Sequence, residues 1–201
     1  MFIKSLYILQ GGNFLMTEVK VENIITSFSV ASALDLSQLA TVLPDAQYHA
    51  EDVPAIILQF PHPHSMAALS SNGTVVITGP KTMEEVCDVV QMIRDRLHVE
   101  GVDVFESPEL SVENVTVSKD LHQELSLGKL SKFLQVSEYS PREFPGLVYK
   151  EEDPNAVILL FDSGKMVCNS KNLEDATAAL EKMVKKLVLF GIKMEENVCL
   201  K

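Results

Sequence analysis

Two stretches of the chain show the same order of hydrophobic and polar positions. Each opens with a β-branched run, at Val21 and at Val112, and continues with leucines at helical spacing. Four short strand-like segments separated by turn residues follow, and a longer amphipathic stretch that predicts a helix closes each copy. The expected strands are 46–50, 55–60, 66–69 and 74–78 in the first copy and 135–139, 147–151, 156–161 and 165–169 in the second; the expected closing helices are about 82–99 and 173–190.

These two stretches are copies of one module. A single shift, from Val21 to Val112, brings identical residues into register without a gap; the matched pairs include Asn23 and Asn114, Tyr48 and Tyr139, Pro54 and Pro145, Gly73 and Gly164, and Val76 and Val167. One constant offset over so many positions indicates an internal duplication. We therefore expect a disordered leader over residues 1–16, a first repeat over 17–105 and a second over 106–201, with the two repeats forming one continuous fold.

Each copy predicts an α+β fold with an antiparallel sheet, because a helix, a meander of short strands and a second helix follow one another. Helices can cover only one face of such a sheet, and the other face is left for a partner. The segment Lys165–Asn169 alternates, so that Lys165, Val167 and Asn169 point one way while Met166 and Cys168 point into the core.

The charge balance narrows the class of partner. The net charge is −11, and no Lys or Arg occurs between Val21 and Pro80, so the chain cannot coat nucleic acid by charge alone. No apolar stretch reaches the roughly 18 residues that cross a bilayer. Three cysteines without a CxxC pair fit a reducing compartment rather than a disulfide or zinc scaffold. We expect an intracellular protein of the cytoplasm or nucleoid.

Two motifs in the second copy carry a resemblance to a known family. Tyr139–Tyr149 has the pattern Y-x-P-x-x-F-P-G-L-x-Y, and Phe161–Cys168 has the pattern F-x-S-G-K-M-V-C. Together with the VxNxx opening of each repeat, they make the chain resemble the core of the TATA-box-binding protein family, particularly its archaeal members, over about residues 18–191. The resemblance implies a saddle, in which four helices cover the convex face of a curved ten-stranded antiparallel sheet.

The resemblance also implies a function. Members of this family bind A·T-rich promoter DNA in the minor groove, insert pairs of phenylalanines between base steps and bend the duplex. They help to recruit transcription factor B and RNA polymerase. The implied protein is an initiation factor without enzymatic activity, cofactor or metal. We call such an inserted side chain a wedge. Apolar wedges are compatible with an acidic chain, because the affinity for DNA then comes from buried apolar surface rather than from a row of cations.

Carried over residue by residue, the resemblance predicts a DNA-binding surface on both repeats. Its two asparagines can each donate to a minor-groove acceptor. The predicted residues are Asn23, Ile25, Val76 and Thr78 in the first repeat, and Asn114, Thr116, Phe144, Leu159, Phe161, Lys165, Val167 and Asn169 in the second.

The first repeat departs from the family pattern at its wedge positions. The second repeat has Phe144 and Phe161, whereas the corresponding residues of the first repeat are Val53 and Ser70. Valine is a poor wedge and serine is none, so the pattern predicts that the second repeat carries most of the affinity for DNA. In the second repeat, Asn169 stands where a threonine is usual.

The loop before the second-repeat wedge also departs from the pattern. The resemblance places acidic residues there, which help to hold transcription factor B. This chain has Ser140 and Arg142 at those positions, and only Glu143 remains nearby. We expect Ser140, Arg142 and Glu143 to contact a protein partner, and we expect the choice of this partner to have changed together with the DNA half-site.

Plainer interpretations stay open for several residues. The two phenylalanines could be core aromatics, and the two asparagines could be turn residues. The remaining candidates have plain expectations as well. A solvated helix face is expected for Lys182, Lys185 and Lys186, with a patch for a partner or flanking DNA as the alternative. We expect a Pro-kinked pair without a metal at His62 and His64, a chance S-x-x-K match at Ser126 to Lys129, and an inert buried thiol at Cys168.

Three classes of function remain at the level of sequence. The first is a promoter-binding initiation factor of the TATA-box-binding type. The second is an interaction protein of the same fold with weakened or altered DNA binding. The third, an enzyme or small-ligand binder, has no motif to support it, because no P-loop, HExxH, dinucleotide fingerprint or nucleophile elbow occurs.

Overall fold

A computed structural model describes the backbone of residues 2–8, 14–49 and 53–192, and the side chains within 19–48 and 54–192. The chain divides into two compact units, Glu22–Asn114 and Val115–Lys201 with Met1–Val21. Both contain antiparallel strands and two helices, as the alternation and the helical periodicity predict. The fold is therefore α+β.

The elements of the first repeat follow the predicted order. Its strands are β2 (Phe14–Ser29), β3 (Gln47–His49), β4 (Val53–Phe60), β5 (Ser65–Ser70) and β6 (Thr74–Thr78), and its helices are α1 (Leu36–Val42) and α2 (Met83–Val99). The strands lie in the order β3-β4-β5-β6-β2 and pair antiparallel. Side-chain oxygens of Asp35 and Thr82 accept hydrogen bonds from backbone N–H groups of the first turns and so begin the two helices.

The second repeat has the same arrangement. Its strands are β7 (Ser111–Asp120), β8 (Ser137–Glu138), β9 (Leu147–Glu152), β10 (Asn155–Leu160) and β11 (Lys165–Ser170), and its helices are α3 (Leu127–Phe133) and α4 (Leu173–Leu189). The strand order is β7-β11-β10-β9-β8, again antiparallel. The strands and helices that the repeat pattern predicts are confirmed, and the bounds differ by only a few residues.

A further strand, β1 (Phe2–Ile8), lies in the segment that the sequence assigned to a disordered leader. Its backbone pairs antiparallel with the start of β2, from Phe2 opposite Lys20 to Ile8 opposite Phe14. The backbone there thus differs from the expected irregular leader. The residue at which the first repeat begins stays a prediction.

One face of each set of strands forms the core with the helices. In β11 the side chains of Met166 and Cys168 are fully buried, and α4 packs on β10 and β11. In β6 the same alternation buries Val75 and Ile77. The apolar stripe of α4 therefore meets the buried side of β10 and β11, as predicted, and the buried residues of α2 form a stripe of the same kind. The side away from the helices stays accessible.

A glycine at the same position of each repeat allows two backbone segments to approach closely. Gly73 and Gly164 have φ values of +79° and +86°. A Cβ atom at Gly73 would lie 1.9 Å from the carbonyl oxygen of Ala31, and one at Gly164 would lie 2.0 Å from that of Gln123. Only glycine fits both the left-handed backbone and the contact. The matched glycines of the sequence pattern therefore have a structural role.

A buried carboxylate joins α4 to the sheet of the second repeat. Glu151 is 7% exposed and accepts hydrogen bonds from Lys182 at 2.9 Å and Lys186 at 2.6 Å. Lys186 also donates to the hydroxyl of Tyr149. Burial opposes ionisation of Glu151, but the hydrogen bonds and charges of the two lysines outweigh it and hold the pKa of Glu151 below its ordinary value. The sequence did not predict this contact between two helix lysines and a buried carboxylate.

We expect the Glu151→Gln variant to lose about 1–2 kcal/mol of the free energy of unfolding at neutral pH, because the charge that both lysines contact disappears. A depressed carboxyl pKa contributes stability above the ordinary glutamate value of 4.5, and the contribution is lost as the pH falls through the folded-state pKa. Urea unfolding of the wild type and the variant, followed at pH 7 and at pH 3, measures both. The difference should shrink at pH 3; a constant difference would contradict the ionic origin.

Candidate nucleic-acid interface

The accessible face of the second repeat is defined by the outward-pointing residues of its strands. Val148, Leu159 and Val167 lie next to one another across β9, β10 and β11 and form an apolar row. All three are half-buried, while their chain neighbours on the other side of each strand are buried. We call this surface the second-repeat face. It can offer a flat apolar area to a ligand.

A pair of phenylalanines stands at one end of the second-repeat face. The ring centroids of Phe144 and Phe161 lie 6.0 Å apart, and the rings meet edge to face at 66°. Phe144 is 37% exposed and Phe161 is half-buried. Aromatic pairs in this arrangement stabilise one another. The interpretation of these two residues as core aromatics is therefore wrong.

Gly146 makes room for the aromatic pair. A Cβ atom at this position would lie 2.7 Å from Cε1 of Phe144 and 3.1 Å from Cε1 of Phe161. Both rings thus rest against bare backbone. The loop that carries Phe144 is closed by a turn in which the Ser140 carbonyl accepts hydrogen bonds from the N–H groups of Glu143 and Phe144, at 2.9 and 3.0 Å.

Polar groups follow the apolar row on the second-repeat face. Lys165 is exposed at the start of β11, beside the Phe161 turn. Thr116 of β7 stands opposite Asn169 of β11, and its hydroxyl donates to the Asn169 Oδ1 atom at 2.7 Å. Asn114 lies two residues before Thr116 and points to the same side. The sequence-predicted residues of this repeat are thus brought together on the accessible side of the strands.

The accessible face of the first repeat has fewer large side chains. Ile25, Val76 and Thr78 point to the side away from the helices and are half-buried or exposed. Ser70, the counterpart of Phe161, ends β5, and Ala68 takes the place that Leu159 has in the second repeat. We call this surface the first-repeat face. It lacks an aromatic pair among its described residues, and the side chain of Val53 lies outside them.

The Asn23 amide is oriented by two neighbours. Its Oδ1 atom accepts a hydrogen bond from the Gly79 N–H at 2.7 Å, and its Nδ2 atom donates to the Thr78 hydroxyl at 3.1 Å. These two hydrogen bonds use one of the two amide hydrogens. Asn23 and Asn114 both lie inside strands, so the turn-residue interpretation of the two is wrong.

The residues predicted to bind a protein partner form the tip of the loop before Phe144. Ser140, Arg142 and Glu143 all have exposed side chains. The loop presents one cation and one anion within two residues. Whether they bind a partner stays a prediction.

Sequence reasoning missed some residues of both faces. Val157 and Met66 are exposed hydrophobic side chains on the accessible side of β10 and β5. They are counterparts of one another in the two repeats. The alternation of the strands could have identified both. Val157 lies two residues before the predicted Leu159, and Met66 lies two residues before Ala68, the counterpart of Leu159, so each shares that residue's side of the strand.

The remaining chemical candidates of the sequence do not form a second site. Within the described residues, no group of three or more His, Cys, Asp and Glu could hold a metal ion, and no helix is long and apolar enough to cross a membrane. Cys168 is buried as predicted, and burial raises the pKa of its thiol to about 12.

The fold and the two faces define a duplicated α+β module that leaves one side of the strands of each repeat accessible. A family model described as "Transcription factor TFIID (or TATA-binding protein, TBP)" matches residues 18–98 and 109–190. The chain belongs to this family.

Curated relatives and a solved structure agree with the assignment. The chain is 35% identical to the TATA-box-binding protein of Thermococcus sibiricus over 180 residues, which cover 89% of this chain and 97% of that protein. It is 34% identical to the one of Pyrococcus abyssi over 181 residues, covering 90% and 95%. The TBP of Methanococcus jannaschii superposes with a TM-score of 0.79 at 33% identity, over 85% of this chain and 98% of that one.

Proposed function

We propose that this protein is a transcription initiation factor that binds A·T-rich, TATA-like DNA in the minor groove. The observation that carries the proposal is the Phe144–Phe161 pair, exposed at Phe144 and half-buried at Phe161, at the end of an apolar sheet face. The part of such an aromatic pair that stays exposed costs solvation free energy unless a partner covers it. Wedge residues that unstack a base step recover this cost from the protein surface that the bent duplex then covers.

Hydrogen-bond donors beside the apolar row give the proposed preference for A·T pairs. The minor-groove edge of an A·T pair offers only acceptors, the adenine N3 and thymine O2 atoms. The hydrogen bonds of Asn23 with Thr78 and Gly79 use one of its two amide hydrogens, and Asn114 lies half-buried on the corresponding side of β7. Each would donate to one such acceptor.

Recruitment of the transcription machinery is the second part of the proposal. The exposed loop tip, Ser140 to Glu143, is the surface on which we place a transcription factor B-like partner, which in turn recruits RNA polymerase. The proposal follows family membership and the exposure of the loop. The protein acts by binding alone, without a cofactor.

A second candidate function rests on the first-repeat face. Ala68 and Ser70 stand where the second repeat has Leu159 and Phe161. These smaller side chains weaken the binding of DNA to the first repeat. On this alternative the chain is a transcription-associated interaction protein that has lost most of its affinity for DNA. Its protein partner would occupy the altered loop or the helices.

A gel-shift experiment with TATA-containing and scrambled duplexes at two salt concentrations tests the proposal. The exposed or half-exposed cations that we place near DNA are Arg142, Lys150 and Lys165, and Lys150 is also bound to Glu138. With about three phosphates neutralised, the logarithm of the affinity should fall by about 3 per decade of salt. A slope near −10 would show that other cations dominate. Equal affinity for both duplexes, or none for either, favours the interaction-protein alternative.

A further inference from the structure

The hydrogen bond between Thr116 and Asn169 suggests a difference in base preference between the repeats. Both side chains are half-buried on the second-repeat face, and the two residues lie opposite one another on adjacent strands. The Thr116 hydroxyl donates its only hydrogen to Asn169 Oδ1 at 2.7 Å. Towards a ligand, the Thr116 oxygen therefore offers lone pairs and no hydrogen.

An accepting oxygen has one possible partner in the minor groove. The edges of A·T and T·A pairs carry acceptors only, whereas a G·C pair adds the N2 amino group of guanine, which is a donor. The Asn169 amide nitrogen, beside the Thr116 oxygen, keeps its hydrogens for an acceptor on the same edge. Thr116 and Asn169 together thus present the acceptor and donor that complement a G·C edge.

The first repeat provides an internal comparison. The counterparts of Thr116 and Asn169 are Ile25 and Thr78. Ile25 has no polar side-chain atom, and Thr78 is held by hydrogen bonds with Asn23 at 3.1 and 3.3 Å. A guanine amino group placed against Ile25 would lose its water without gaining a partner, which is unfavourable.

We propose that Thr116 accepts a hydrogen bond from guanine N2, so that the second repeat prefers a G·C pair at one position of an otherwise A·T-rich site. The inference rests on the proposed minor-groove function and names a specificity determinant for it. The first repeat rejects G·C at the corresponding position. A site with one such pair is therefore bound in a single orientation, with the G·C pair under the second repeat.

Paired duplex scans test the inference. In an A·T-rich duplex that the protein binds, one G·C pair is placed at each position in turn, and a matched set carries inosine·C instead, which lacks only the N2 amino group. For the wild type, one position should bind G·C about fivefold more tightly than inosine·C, as expected for one hydrogen bond. At the other positions the amino group should weaken binding or leave it unchanged.

The Thr116→Val variant provides the matched control, because valine has nearly the same shape without the hydroxyl. The measured quantity is the ratio of the two affinities, so a general loss of binding in a variant cancels out. The lower stiffness of the inosine·C pair, which has one base-pair hydrogen bond fewer than G·C, acts equally on the wild type and the variant, so the change in the ratio between them reports the Thr116 contact. The ratio should fall to one or below in Thr116→Val and recover in Thr116→Ser, while Ile25→Val should leave it at the wild-type value. Thermal melting confirms that each variant is folded.

Failure of the inference can be told apart from failure of the proposed function. If the wild type binds the all-A·T duplex but prefers inosine·C at every position, the Thr116 contact is overturned and the minor-groove function stands. A fivefold ratio that survives in Thr116→Val also overturns it. If the folded wild type binds no duplex in either set, both proposals fail together.

Discussion

Replacing Phe161 by alanine is expected to weaken binding to A·T-rich DNA by about tenfold to a hundredfold, the size of a lost aromatic–base contact. The substitution removes one wedge and also the ring against which Phe144 packs at 6.0 Å. The matched control is Ser70→Ala, at the same position of the first repeat, which should change the affinity by less than about twofold. Fluorescence anisotropy with a labelled duplex measures both.

This comparison tests the asymmetry between the repeats directly. The Phe161 side chain is half-buried at a turn and contributes little to the core, so the variant should melt close to the wild type. Equal effects of Phe161→Ala and Ser70→Ala would show that the second repeat does not dominate binding.

Rebuilding a wedge in the first repeat should increase the bend in bound DNA. The sequence register suggests the double change Val53→Phe and Ser70→Phe. The structure adds a third position, because the counterpart of Gly146 in the first repeat is Ala55, which is buried. A Cβ atom at Gly146 would lie 2.7 Å from the Phe144 ring, so the Ala55 methyl group would obstruct a new aromatic pair. We expect the triple variant with Ala55→Gly to exceed the double variant.

Energy transfer between dyes at the two ends of a short A·T-rich duplex measures the bend. Unstacking costs a few kcal/mol per base step, and the wedge helps only if the bent duplex covers more protein surface. Transfer should rise from the wild type to the double variant and again to the triple variant. If the wild type already gives the transfer of the triple variant, the missing phenylalanines do not limit bending and another side chain acts in their place.

The predictions from sequence that the structure confirms follow from the periodicity of apolar residues in strands and helices and from the internal duplication. The alternation around Met166 and Cys168 gave the buried side of β11, and the apolar stripe of α4 gave its packing face. These features are local, because one strand or helix is enough to set them. The duplication then transferred each assignment to the other repeat. Asn23 and Asn114 were identified in the same way, since one register relates them.

Features that depend on contacts between distant residues could not be predicted in this way. Lys182 and Lys186 looked like a solvated helix face, but Glu151, about thirty residues earlier, is buried beneath them. Nothing in the local pattern indicates that a strand carboxylate and two helix lysines will meet. The β1 strand was missed as well, because a short apolar run next to two glycines is equally compatible with an irregular leader.

The sequence by itself determined the fold class, the duplication and the family, and it named most but not all residues of the two faces, because repetition and alternation are properties of the chain alone. Only the tertiary structure decided how those residues are paired. It placed the Phe144 and Phe161 rings against Gly146, and it directed the single hydroxyl hydrogen of Thr116 to Asn169. These contacts join residues separated by as many as 53 positions. Their geometry depends on the register of the folded strands, which the order of residues does not state.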